Sequence, residues 1–393
     1  MRKDILLVLL SAISLPLIAS EHQPWLAVNR TSAAGSAYAL PSTIRVGLSH
    51  TRSPFEIGCT GNFHAQPAVG GIPVPLNKPV RLKPQKIGFL WEGKKKGVWI
   101  FSPDNANDLM SFNGRLYRGK LIVNPVGGEV HVIDELPLNL YLYGVLPREA
   151  ESGWAPDALK AQAVVSRTFV AANMGGHEAN GYDVSNDVFS QVYGGYEDET
   201  PADNEAVDAT AGEILVDDSG HPIQAFFHSS CGGRTENPKD VWNLKTDLPY
   251  LTVVKDKYCT GDPHYRWKTG ISAAALQKKL DHAGFHIAGI KKIKIKRKTE
   301  SGRAAIFTVS SGDNSISVPG NRFRLIVGAD SMRSTLITDI SHSHGVFTFE
   351  GRGWGHGVGF CQWGAQGRAL AGQNYRKILE IYFPHTQMVK GKE

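Results

Sequence analysis

Gly144-Val145-Leu146-Pro147-Arg148-Glu149-Ala150-Glu151-Ser152-Gly153-Trp154 is the stretch at which the texture of this 393-residue chain changes. Before it, from residue 43 onward, short apolar runs alternate with Gly and Pro. Thr43-Ile44-Arg45-Val46-Gly47-Leu48 alternates as a first strand does, and Gly119–Asp134 reads as a hairpin around Gly127-Gly128. From Leu138 the apolar residues take helical spacing. After the Gly153 break, Pro156-Asp157 opens a second helix, because Pro fits a first turn and Asp favours the positive helix end. Leu159, Ala163, Ser166 and Val170 are expected on one face of it, and Gly175-Gly176 to stop it. Further on, residues 205–265 read as short strands and turns. Lys292-Ile293-Lys294-Ile295-Lys296 reads as a strand with one basic face, suited to an edge position or to an anionic polymer. A last helix is expected around Tyr375–Tyr382. The fold class is therefore α+β, with mixed strands, a few helices and a β-rich N-terminal region.

Composition supports a chain that buries a core, since 41% of residues are hydrophobic and 20% charged. The 14 His and 8 Trp suit a polar or sugar-facing surface. The first twenty residues have the layout of a secretory leader. Arg2 and Lys3 precede an apolar stretch from Ile5 to Ile18, and Ala19-Ser20 supply small residues before polar Glu21. Residues 1–20 are accordingly assigned as a cleavable signal peptide, with export to the periplasm or cell envelope. No later segment reaches the roughly 18 unbroken apolar residues of a membrane span, so the mature chain is expected to have no transmembrane segment. Removing the leader takes away Arg2, Lys3 and Asp4 and leaves about +5 from a net charge of +6. Outside the cytoplasm this points to an anionic polymer or surface; no nucleic-acid motif is present.

Three segments carry candidate chemistry. In the opening stretch, Glu149 and Glu151 stand beside Pro147, Gly153 and Trp154 in a break between helices. A carboxyl deprived of hydration near an indole can stay protonated at neutral pH, as the general acid of glycosidic cleavage must. The competing role is a solvated or capping glutamate. The second segment is Phe227-His228-Ser229-Ser230-Cys231-Gly232-Gly233-Arg234, with Cys259 further on. Imidazole and thiolates suit zinc, while an oxidising compartment equally suits a Cys231–Cys259 disulfide. The four cysteines (Cys59, Cys231, Cys259, Cys361) allow at most two disulfides, and Gly-x-Ser-x-Gly is absent.

The third segment is Gly351-Arg352-Gly353-Trp354-Gly355-His356-Gly357-Val358-Gly359-Phe360-Cys361-Gln362-Trp363-Gly364-Ala365-Gln366-Gly367. Its glycines permit close backbone approach. Trp354 and Trp363 can stack on sugar faces, and His356 and Gln362 can hydrogen-bond hydroxyl or amide groups. It lacks the Gly-Lys-Ser/Thr ending of a phosphate loop. The competing role is a glycine loop packed around a buried histidine.

The Gly-Trp-Gly-His-Gly-Val-Gly-x-x-Gln-Trp-Gly-Ala run resembles the signature of the SpoIID/LytB family of bacterial cell-wall proteins. So do Leu146-Pro147-x-Glu149, Ala158–Thr168, Gln191-Val192-Tyr193-Gly194-Gly195, the His228 segment, Asn321-Arg322-Phe323-Arg324 and Arg333-Ser334, in the same order over about residues 115–385. The resemblance implies a lytic transglycosylase that cleaves the β-1,4 bond between N-acetylmuramic acid and N-acetylglucosamine in peptidoglycan glycan strands. It would leave 1,6-anhydro ends and prefer strands stripped of stem peptides by an N-acetylmuramoyl-L-alanine amidase. By position Glu149 matches the catalytic acid and Arg167 an arginine needed for activity. His228, Cys231 and Cys259 fall where some members resemble a structural zinc site. No cofactor is required for the chemistry itself. Substrate contacts are expected from Arg167, Trp354, His356 and Gln362. Arg167 reaches Glu149 only if the first helix folds back along the second. The resemblance also implies an alternative, a non-catalytic glycan binder that recruits or enhances an amidase. The layout is then 1–20 signal peptide, 21–113 β-rich region and 114–390 catalytic domain.

Overall fold

The computed structural model describes residues 38–391 except 188, 189 and 245; the leader expected at 1–20 lies outside the described residues. The N-terminal part is built from two sheets. One has seven strands in the order Val184–Ser185, Thr43–Thr51, Glu129–Pro137, Lys120–Val126, Trp99–Pro103, Phe63–Pro67 and Val74–Leu76. All its pairings are antiparallel except the first. The other has six strands, among them Phe55–Cys59, Val80–Pro84 and Met110–Phe112. Alternate residues of both sheets, including Phe55, Ile57, Phe63, Leu82, Phe101, Leu121 and Val132, form one buried core. The hairpin 120–137 turns on Gly127 (φ 61°) and Gly128 (φ 86°). Positive φ at both central residues is what a type I′ two-residue hairpin turn requires. Residues 114–137 were expected to start the second domain, yet this hairpin lies in the same sheet as Thr43–Thr51 and Trp99–Pro103. The strand-rich unit therefore runs through Pro137.

The polypeptide passes directly from strand Glu129–Pro137 into helix α1 (Leu138–Glu149). Pro147 lies in its last turn, and Ala150 leaves helical geometry (φ −130°, ψ 153°) while its N–H still donates to Leu146 O. Helix α2 (Pro156–Asn173) begins with Pro156 in its first turn. The sequence suggested one buried face for α2. Instead nearly every residue from Ala158 to Ala171 is buried, because α1, strand Glu213–Val216 and three further helices surround it. The three are α3 (Pro201–Ala209), capped by Thr200, and near the C-terminus α7 (Gln362–Leu370) and α8 (Tyr375–Tyr382). Two cores meet along α2, one with α1 and α3, the other with α7, α8 and the 223–231 and 358–361 segments.

Between these lie α4 (Pro238–Trp242) and a satellite unit at residues 266–352. The satellite comprises two three-stranded sheets, α5 (Ala273–His282) and α6 (Gly320–Val327) around Phe307, Phe323, Phe347 and Phe349. The basic strand Lys292–Lys298 is an edge of one of these sheets, with Ile293 inward and its lysines mostly exposed. No helix among the described residues is long and apolar enough to cross a membrane.

Candidate functional site

Glu149 sits on the final turn of α1, where the chain breaks before α2. It is half-buried as a residue, yet burial is the main influence on its carboxyl and pushes it up to about 7. One backbone donor, the Val192 N–H to Oε1 at 3.2 Å, opposes that rise, because a hydrogen bond to the charged form favours it. No second carboxylate contributes to its electrostatics among the described residues. Glu151, two residues on, is exposed.

The turn is fixed from three sides. Ser152 Oγ donates to Asp203, itself capped into α3 by Thr200. Ala155 N–H donates to Gln366 Oε1 at 2.9 Å. Gln362 Nε2 donates to the Glu149 carbonyl at 2.9 Å and to Gln162 Oε1 at 3.3 Å. The glycine-rich motif thus reaches Glu149 through α7, and Gln362 acts on its backbone. The indoles of Trp154 and Trp363, both half-buried, meet edge to face at 5.1 Å beside this junction. Trp363 is the aromatic of the motif that stands at the Glu149 junction. Nothing in its residue type distinguishes it from Trp354, since the distinction comes from helix α7 packing on α2.

Arg167 is corrected by the structure. Helices α1 and α2 do fold back on each other, but antiparallel, so Arg167 faces the start of α1. Its guanidinium donates to Asn139 Oδ1 (3.3 Å), Val207 O (3.1 Å), Glu213 O (3.3 Å) and Thr210 Oγ1 (3.4 Å). Asn139 is ten residues before Glu149, about 15 Å along the helix. With 0% exposure, Arg167 ties α1 and α2 to the C-terminal end of α3, where a cation complements the exposed carbonyls. It offers no surface to a glycan.

Trp354 and His356 lie with other partners. Trp354 exchanges backbone hydrogen bonds with Ser230, and its ring is covered by the Arg333 guanidinium at 4.7 Å and edged by His264 at 5.2 Å. His356 packs against His228 (5.5 Å), Trp242 (5.1 Å) and Phe226 (6.4 Å). Its Nδ1 accepts the Val358 N–H at 3.0 Å, which places the proton on Nε2. Burial, then the Arg324 and Arg303 guanidiniums, push it down to about 3, so it is a neutral imidazole. The motif glycines serve this packing. A Cβ on Gly357 (φ 88°) would lie 2.7 Å from the Arg303 guanidinium. One on Gly359 (φ 72°) would overlap the Phe226 carbonyl oxygen. Only glycine adopts such a backbone this close to a neighbour without strain.

The sequence-derived zinc set also changes. Cys231 and Cys259 come together, with sulfurs 3.5 Å apart, but their further neighbours are Cys361 and Asp256, not His228. His228 Nδ1–H donates to Val358 O at 3.1 Å, and its buried Nε2 has no hydrogen-bond partner among the described residues. Cys361 was unassigned from sequence. It enters because Phe227–His228 pairs in parallel with Phe360–Cys361. All four cysteines are unbridged.

A family model described as "Stage II sporulation protein" (SpoIID) matches residues 126–216, the span that holds α1, Glu149, α2 and α3. Stage II sporulation protein D of Bacillus subtilis is 30% identical over 272 residues, covering 65% of this chain and 75% of that protein. The chain belongs to the SpoIID family. Among other relatives of this SpoIID-family chain, an uncharacterised protein of Brachyspira hyodysenteriae is 30% identical over 90% of this chain and 94% of its own length. The amidase enhancer of Bacillus subtilis is 32% identical over 63% of this chain, which spans 40% of that relative. A second model, a domain of unknown function (DUF8618), matches residues 248–359, a span that takes in the satellite unit.

Proposed function

We propose that this SpoIID-family chain is an exported cell-wall protein that cleaves peptidoglycan glycan strands as a lytic transglycosylase, with Glu149 as its single acid and base. The observation that carries the reading is the Glu149 carboxyl, pushed up to about 7 by burial on a turn that Gln362 holds by its backbone and the Trp154/Trp363 pair flanks. Hydrolytic glycosidases need a second carboxyl at about 5–5.5 Å or about 6.5–9.5 Å, and lytic transglycosylation does not. Glu149 would give its proton to the glycosidic oxygen as the bond from the muramic C1 breaks. The resulting carboxylate would take the proton of the muramic C6 hydroxyl as that oxygen bonds to C1. The carboxyl ends protonated, no water is consumed, and one strand end is a 1,6-anhydro sugar.

In this reading Val192 N–H steadies the carboxylate phase, Gln362 positions the Glu149 backbone, and the Trp154/Trp363 edge is the surface on which a sugar face stacks. Trp354 and His356 belong to the wall of the adjoining glycine loop. The catalytic part is 114–390, and it shares its first hairpin, 120–137, with the strand-rich unit, where that hairpin lies between Thr43–Thr51 and Trp99–Pro103. Strands stripped of stem peptides by an amidase are the preferred substrate.

The likeness to the amidase enhancer favours a second reading, a glycan binder that recruits or stimulates an amidase. Incubating the full chain with intact sacculi and with peptide-free strands separates the two. A catalyst releases soluble fragments from the strands, whereas a binder co-sediments with sacculi and releases nothing.

A further inference from the structure

We propose that Cys231, Cys259, Cys361 and Asp256 form a four-ligand zinc site that clamps the N-terminus of α7, and with it Gln362 and Trp363, onto the Glu149 segment. The site stands apart from the catalytic reading, and its ligand set differs from the His228, Cys231 and Cys259 set implied by resemblance. The four residues come from separate places: the loop after Phe227–His228, the 256–259 turn and the residue that caps α7. One ligand atom from each lies within 4.8 Å of the others. All four residues are at most 2% exposed.

Three observations point to a metal. First, three thiols and a carboxylate are donors that tetrahedral zinc accepts. Thiolates at about 2.3 Å from zinc stand about 3.8 Å apart, close to the observed 3.5 Å, whereas bonded sulfurs are about 2.05 Å apart. Second, the surroundings are those of a ligand shell. Backbone N–H groups of Gly233, Cys231 and Gly364 point at the sulfurs of Cys231, Cys361 and Cys361 respectively (3.4, 3.2 and 3.3 Å). Asp256 Oδ1 is held by Arg368 (3.2 Å) and Tyr258 N–H (3.0 Å), and Oδ2 by Tyr382 OH (2.6 Å). Such outer contacts fix ligand orientation in metal sites. Third, a Cys231–Cys259 disulfide would use two of the three thiols and leave the buried Cys361 thiol beside it. A divalent ion uses all four ligand groups and offsets their negative charge as the thiols release protons on binding.

The consequence for the fold is mechanical. Cys361 Sγ caps α7, and the next two residues are Gln362, bound to the Glu149 carbonyl, and Trp363. A metal on Cys361 therefore fixes the register of α7 against the α1–α2 turn.

The test uses the full chain purified from zinc-containing medium, with metal content by mass spectrometry and thiols counted after denaturation with chelator. One zinc per chain and four reactive thiols are expected. After stripping, Co2+ should give thiolate charge-transfer and tetrahedral d–d absorption. Cys361→Ser, whose hydroxyl still accepts the Gly364 N–H, should lower the charge-transfer intensity by roughly a third as one of three thiolates is lost. It and Asp256→Asn should each weaken Co2+ binding by at least about 10–100-fold. His228→Gln should leave metal content unchanged. Two reactive thiols and no zinc in the wild type would establish the disulfide and overturn the proposal. So would metal affinity unaltered in folded Cys361→Ser and Asp256→Asn, or lost in His228→Gln.

Discussion

Replacing Glu149 by glutamine is expected to make the folded chain more stable at alkaline pH while removing glycan cleavage. Burial lifts the Glu149 carboxyl from its ordinary 4.5 to about 7, a difference worth about 3.4 kcal/mol if all of it acts on folding. The residue keeps partial solvent access, and solvent screening reduces this to roughly 1–2 kcal/mol. The sign follows from where the proton sits. Between about pH 4.5 and 7 the unfolded chain is ionised at this position and the folded chain is protonated, so stability falls as pH rises through that window. Above about 7 the folded state carries the full cost of a desolvated carboxylate, and below about 4.5 it carries none. Glutamine never ionises, and its carbonyl can still accept the Val192 N–H. Denaturant unfolding of wild type and Glu149→Gln should therefore differ by roughly 1–2 kcal/mol in favour of the variant near pH 8 and converge near pH 4.5. Cleavage should drop at least about 10²–10⁴-fold in the variant, and wild-type cleavage should decline as pH rises through about 7. A variant less stable than wild type at pH 8, or a gain equal at both pH values, would refute the claim that this carboxyl is held desolvated.

Three other substitutions separate scaffold from site. Arg167→Lys keeps the charge but loses the fork that serves four acceptors, so it should cost about 1–3 kcal/mol in denaturant unfolding with cleavage per folded molecule retained; intact stability with lost cleavage would return Arg167 to the site. Gln362→Ala should lower kcat with little change in KM, because the residue acts on the Glu149 backbone, whereas Trp363→Ala should raise KM about 2–10-fold through lost stacking; steady-state kinetics on peptide-free strands reads both.

Much of this was legible in local pattern. The hairpin at 120–137, the opening of α2 at Pro156 and the helix at Tyr375–Tyr382 follow from glycine pairs, first-turn proline and apolar spacing, which act over a few residues. Glu149 was a candidate on residue types, beside Pro147, Gly153 and Trp154, with a solvated or capping role competing; the match to the family's catalytic acid singled it out. What escaped depended on long-range placement. Arg167 was expected at the site because it matches the arginine that the family resemblance implies, but α2 is enclosed, so its guanidinium satisfies carbonyls at the end of α3. Gln362 lies 213 residues from Glu149, and Cys361 lies 130 from Cys231. The parallel pairing of Phe227–His228 with Phe360–Cys361 brings Cys361 beside the loop that carries Cys231. The same pairing assigns the motif's glycines to close packing against the 226–232 segment and Arg303.

The chemistry at Glu149 is tested most directly by mass spectrometry of strand ends released from peptide-free glycan by wild type and by Glu149→Gln. If the carboxyl acts alone as acid and base, wild type yields 1,6-anhydro-muramic ends, one water lighter than reducing ends, and the folded variant yields none. Reducing ends from wild type, or anhydro ends from Glu149→Gln, would contradict it.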